Sequence, residues 1–120
     1  MHEFSICRAI VDAVLDELSK LGPGRGRLAR VRIVAGASRQ IAPENIVMAY
    51  EAMIKNTPAD GSILEIESRP ITARCGRCGW TGEIKGFAYM CGSCGAGDIE
   101  LTGGKELFLD ALEIEQDENS

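Results

Sequence analysis

The chain has 120 residues, 45% of them hydrophobic, and a formal net charge of −5, which suits one small domain or two very small ones. No apolar run approaches the length of about eighteen residues needed to cross a bilayer. The acidic balance also argues against general attraction to polyphosphate.

Residues 5–21 carry the first long pattern. Ile6, Ile10, Val14, Leu18 and Leu21 lie on one stripe, Cys7, Val11 and Leu15 widen it, and Asp12, Asp16, Glu17 and Lys20 take the other face, which predicts an amphipathic helix. Cys7 is read as core packing, not as a ligand. Gly22-Pro23-Gly24 stops the helix. Over 28–35 the period changes to two, with Ala29, Val31 and Ile33 on one side and Leu28, Arg30 and Arg32 on the other, which predicts a strand with one buried face. Pro43 and Glu44 open a second helix, 43–56, because proline lacks an amide hydrogen the first turn cannot use and glutamate complements the positive helix end. A second strand, 63–68, sets Leu64 and Ile66 against Glu65 and Glu67, and these glutamates are placed to pair with Arg30 and Arg32. Residues 106–115 form a further apolar-rich strand, expected to return to the first sheet. The last residues, 117–120, lose the apolar pattern and are expected to fray.

Between the second and last of these strands lie four of the five cysteines, as two Cys-x-x-Cys pairs, Cys75/Cys78 and Cys91/Cys94, separated by twelve residues. In such a turn both thiolates face one point about 2.3 Å from a zinc ion, and two knuckles complete a tetrahedral site. Each knuckle reads Cys-Gly-x-Cys-Gly, so Gly76, Gly79, Gly92 and Gly95 are expected to supply the positive φ of tight turns and let amides approach sulfur. Four thiolates leave no open position for water or substrate, and Glu83 is the lone carboxylate between Cys75 and Cys94, so the zinc reads as structural and no catalytic residue is assigned. A pair of disulfides is the alternative, set aside because no secretory signal is read and cytosolic thiols stay reduced. The fold class expected is α+β: a small two-helix, three-stranded domain, residues 1–69 plus 105–116, with an inserted four-cysteine zinc ribbon, residues 70–104.

Two other features bear on function. Lys20, Arg25, Arg27, Arg30, Arg32 and Arg39 fall in a stretch without an acidic residue. A zinc-ribbon nucleic-acid or transcription adaptor would use this stretch with Arg74, Arg77 and Lys85, stacking bases on Trp80, Phe87 or Tyr89; the bland reading is a solvated basic face and hairpin packing. At the other end, His2 is the sole histidine. With the Met1 amine retained, that amine, backbone amides and imidazole offer a nitrogen set suited to Ni(II) or Cu(II). On chemistry alone a lone histidine at a terminus is unremarkable.

The run Met1-His2-Glu3-Phe4-Ser5-Ile6-Cys7 before an amphipathic helix, followed later by two Cys-x-x-Cys pairs, resembles the HypA/HybF nickel metallochaperones of [NiFe]-hydrogenase maturation. The Pro43-Glu44 helix start and the Glu65-Ile66-Glu67 strand also fit, and the likeness spans nearly the whole chain. The resemblance implies an α/β nickel domain using Met1, His2 and Glu3, with Ni(II) as transient cargo. It implies a structural Zn(II) domain using Cys75, Cys78, Cys91 and Cys94. The implied partners are a HypB-type nickel GTPase, the [NiFe]-hydrogenase large subunit and, in organisms with that client, urease maturation proteins. The expected protein is a cytoplasmic carrier, not an enzyme, with neither nucleic acid nor membrane as partner. The loop 34–41 departs from the family pattern, which tends to carry a glutamate near Val34 and a Leu-Ser-Gly run after Ala37.

Overall fold

The computed structural model describes residues 2–22, 24–85 and 89–116, with side chains from Phe4 onward. Met1, Pro23, Phe87 and the tail 117–120 therefore lie outside the described residues, as do the side chains of His2 and Glu3. The chain divides into two compact units. One comprises Met1–Ile33, Ile41–Glu67 and Phe108–Ser120; the other comprises Val34–Gln40 and Ser68–Leu107.

In the first unit, α1 spans His2–Leu21, so the helix begins three residues before the apolar pattern does. Its buried residues are Cys7, Ile10, Val11, Val14 and Leu18, spaced as one helical face requires. Leu21, expected to extend this stripe, is 54% exposed. Helix α2, Pro43–Met53, has proline in its first turn and Glu44 beside it, and it buries Ile46 and Tyr50. It ends three residues earlier than expected, since Ile54 to Asn56 form turns and Asn56 takes a left-handed φ of 64°. The helices pack together, with the Cys7 thiol 3.7 Å from the Ile46 carbonyl oxygen. Tyr50 satisfies its buried hydroxyl against Ser62 Oγ at 2.7 Å, which removes the cost of burying both groups unpaired.

Strands β1 (Arg27–Gly36), β2 (Ile63–Arg69) and the last strand, labelled β6 (Leu107–Glu115), form a sheet in the order β2-β1-β6. The return of the last strand to the first sheet is thus as expected. Arg27 pairs with Glu115 at 3.4 Å and Arg30 with Glu113 at 3.6 Å, while the Gly36 amide donates to the Glu106 carbonyl. Partners descend along β6 as they ascend along β1, the sense of an antiparallel pair. Arg30 also meets Glu65 across β2, and Arg32 approaches the same carboxylate at 3.7 Å. Leu28 is buried, contrary to the simple alternation. Its face of β1 is covered at both ends, by Leu28 and by Val34, and open only where Arg30 and Arg32 stand.

The second unit holds an antiparallel sheet of β3 (Thr72–Cys75), β4 (Thr81–Glu83) and β5 (Ile99–Gly103), ordered β4-β3-β5. Its core is small: Ile71, Ala73 and Ile84, with Trp80, Ile99 and Leu101 packed on it. The 34–40 segment, assigned from sequence to the first domain, clusters with this unit. Gly36 explains why: a Cβ there would sit 2.0 Å from the Gly104 carbonyl oxygen, so only glycine permits the backbones to touch. The Ser38 amide then donates to Gly104 O at 2.9 Å and Arg39 Nε to Lys105 O at 2.9 Å.

Candidate metal centre

Both Cys-x-x-Cys turns are built the same way. Cys75 closes β3, its amide donating to Trp80 O at 2.7 Å and its carbonyl accepting from the Gly79 amide at 3.1 Å; Cys91 pairs likewise with Ala96 O at 2.8 Å and the Gly95 amide at 3.1 Å. Inside each loop the first sulfur accepts two amides. Arg77 N and Cys78 N lie 3.3 and 3.5 Å from Cys75 Sγ, and Ser93 N and Cys94 N lie 3.2 Å each from Cys91 Sγ.

The four sulfurs lie within 4.8 Å of one another, with Cys75–Cys94 at 3.8 Å and Cys78–Cys91 at 3.5 Å. A tetrahedron with metal–sulfur legs of about 2.3 Å has edges of about 3.8 Å, so the cluster fits zinc. None of the four is disulfide-bonded. Cys75 and Cys91 are buried and Cys78 and Cys94 exposed, so each knuckle gives one inner and one solvent-side sulfur.

The electrostatics point the same way. Amides of Cys78 and Arg77 hold the Cys75 thiol below its ordinary pKa. At Cys91 burial acts upward, but the amides of Cys94 and Ser93 and the neighbouring thiols outweigh it, and the pKa falls to about 6. At Cys78 the Trp80 amide acts downward, yet the Cys91, Cys75 and Cys94 thiols and burial push the pKa up to about 11. Two sulfurs readily ionise and then oppose ionisation of a third, as like charges sharing a site do. A bound divalent cation would supply the countercharge that lets all four be thiolates.

The glycines divide by role, a correction to the uniform expectation. Gly79 and Gly95 have φ of 80° and 75°, the left-handed geometry that glycine tolerates without strain. Gly76 and Gly92 do not take a positive φ. A Cβ on Gly92 would lie 2.7 Å from Trp80 Cζ2, so that glycine leaves room for the ring, whereas one on Gly76 would meet only the end of the exposed Asp98 side chain at 3.0 Å. Asp98, which also accepts the Gly76 amide through its carbonyl at 2.8 Å, was not singled out from sequence. Its spacing from the cysteines carries no ligand signature; only folding brings it beside the first knuckle.

Among the described residues these four cysteines are the one group of potential ligand side chains brought together. Cys7 stands apart, fully buried in the helix pair, with burial raising its thiol pKa. Of the expected nickel residues, Met1 is outside the described residues, and for His2 and Glu3 only the backbone is described, as the start of α1. The basic stretch does not form an open cationic face. Lys20 pairs with Asp16 and Glu17, Arg27 with Glu115, Arg30 with Glu65 and Glu113, and Arg32 with Glu65. Trp80 packs on the small core.

Comparison with known proteins agrees. Residues 1–114 match the family model described as hydrogenase/urease nickel incorporation, metallochaperone, HypA. Hydrogenase maturation factor HypA 2 of Bradyrhizobium diazoefficiens is 36% identical, over 96% of this chain and 100% of its own. Hydrogenase maturation factor HypA of Chlorobaculum parvum is 31% identical over the same shares. The solution structure of the Ni metallochaperone HypA from Helicobacter pylori superposes with a TM-score of 0.64 over 98% of this chain and all of that one, at 23% identity, which speaks to the fold. With its four-cysteine centre and its match over nearly the full length, the chain belongs to the HypA family of nickel metallochaperones for hydrogenase maturation.

Proposed function

We propose that this protein is a cytoplasmic nickel carrier. It takes up Ni(II) at Met1, His2 and Glu3 and delivers it to the [NiFe]-hydrogenase large subunit, working with a HypB-type GTPase. Urease maturation proteins are a second class of client. In this reading the first unit is the nickel domain, and the second is a structural zinc domain held by Cys75, Cys78, Cys91 and Cys94. The observation that carries it is the family match from residue 1 to residue 114, which includes both the N-terminal run and the cysteine pairs.

Two features of the fold support the division of labour. The zinc ligands fill a closed set of four sulfurs, two of them buried, so this site is suited to permanence and not to cargo release. Helix α1 begins at His2, and the first amides of a helix have no carbonyl partner within it. Nitrogens there are free of the helix ladder and can give up protons to a metal.

An N-terminal site exchanges its ligands one at a time with an incoming acceptor, which favours transfer. Loading falls as pH drops, because the imidazole, amine and amides bind nickel only after losing protons. The test is metal analysis of untagged protein beginning at Met1, after Ni(II) addition and desalting, for the parent and His2→Ala. One zinc in both and one nickel only in the parent is expected. Equal nickel in the two proteins would sink the N-terminal assignment.

A further inference from the structure

A groove of about 660 Å³ in the first unit takes no part in the metal chemistry. Leu21 of α1 and Leu109 and Leu112 of β6 give it apolar walls, while Asp16 and Glu17 of α1 and Asp110 of β6 bring three carboxylates to it. Lys20 lies 3.3 Å from both Asp16 and Glu17, one ammonium against two carboxylates. Asp110 makes no ion pair among the described residues, so the groove stays negative. Its apolar content is exposed: Leu21 is 54% accessible, although Ile10, Val14 and Leu18 of the same stripe are buried.

The same place offers an open hydrogen-bonding edge. The sheet order β2-β1-β6 puts β6 at the margin, and its nine residues make it a long edge strand. Edge strands of that length present a row of unpaired amides and carbonyls that a further strand can join. Apolar walls, negative charge and an unpaired backbone edge thus coincide.

We propose that β6 and this groove dock an extended segment of a partner protein whose side chains alternate between apolar and basic. Added as a strand to β6, it takes up the edge hydrogen bonds, sets its apolar residues on the α1 side against Leu21, Leu109 and Leu112, and carries its lysines or arginines on the other face beside Asp110, drawn by the negative charge of the groove. A helix would leave the edge amides and carbonyls unmet. A second copy of this chain would bring two grooves together, each carrying Asp16, Glu17 and the unpaired Asp110, an acid-on-acid contact. The proposal does not rest on the nickel reading.

The experiment follows backbone amide NMR signals of the full zinc-loaded chain during titration with a ten-residue peptide of alternating valine and lysine, and with its valine–glutamate counterpart. Expected are shifts confined to β6 and the last turns of α1, with at least tenfold tighter binding of the lysine peptide. Asp110→Lys and Leu21→Ser, both at exposed positions, should each weaken that binding at least tenfold, whereas Glu51→Lys, the same charge change on α2, should not. Equal binding of the two peptides, undiminished binding by both groove variants, or shifts elsewhere would overturn the proposal. So would concentration-dependent changes at β6 without peptide, which would give the edge to a second copy.

Discussion

In the second knuckle the glycine that follows the first cysteine is present for space. At Gly92 an added methyl would meet Trp80 Cζ2 at 2.7 Å, whereas at Gly97 nothing lies within 4 Å. Trp80 cannot easily retreat, since it packs on the buried cluster of Ile71, Ala73 and Ile84. Gly92→Ala should therefore destabilise the zinc-loaded second unit by about 1–3 kcal/mol, as overpacking does. Gly97→Ala should be nearly neutral. Denaturant titration followed by Trp80 fluorescence reads both, and equal midpoints for the two variants would remove this account of Gly92.

At the scale of elements, β1 is held in its sheet partly by charge as well as by its ladder. Arg30 stands between Glu65 on β2 and Glu113 on β6, and Glu65 is shared with Arg32. Because of that sharing, exchanging the charges of Arg30 and Glu65 would not restore stability; the swap would set glutamate against Glu113 and arginine against Arg32. A double-mutant cycle with Arg30→Ala and Glu65→Ala is the cleaner probe. The arginine side chain is 49% exposed and the glutamate 32%, so a coupling of about 0.2–1 kcal/mol is expected. Additive single effects would mean that the pair holds nothing.

For the molecule as a whole, the two units should respond differently to metal removal. A core of Ile71, Ala73 and Ile84 is too small to hold a fold by burial alone, so a metal held by the four cysteines would substitute for missing apolar area. The first unit has its own larger core, from Cys7 and Val14 through Ile46 and Tyr50. A chelator should abolish amide protection in β3, β4 and β5 while the far-UV helix signal persists; simultaneous loss of both would show that the units fold as one. Acid should act on the same unit. The Cys91 pKa in the folded knuckle is depressed to about 6, below the ordinary thiol value of about 8.5, so the stability that its ionisation adds to the folded unit is complete above about 8.5 and lost as pH falls through 6. Protons then compete for every sulfur, and zinc release is expected below that point, read by a colorimetric zinc indicator.

Both helices, three strands and the four-cysteine cluster were legible in the sequence, because each rests on local periodicity or local spacing. An apolar residue every three or four positions makes a helix face whatever lies beyond it, and Cys-x-x-Cys makes a knuckle within one turn. Tertiary structure alone decided that Leu21 is exposed beside an open groove, that Leu28 is covered, that the 34–40 segment sits against Gly104, and that Gly92 is spared a side chain for Trp80. Each depends on what a distant part of the chain brings near, and periodicity along the chain carries no record of such neighbours.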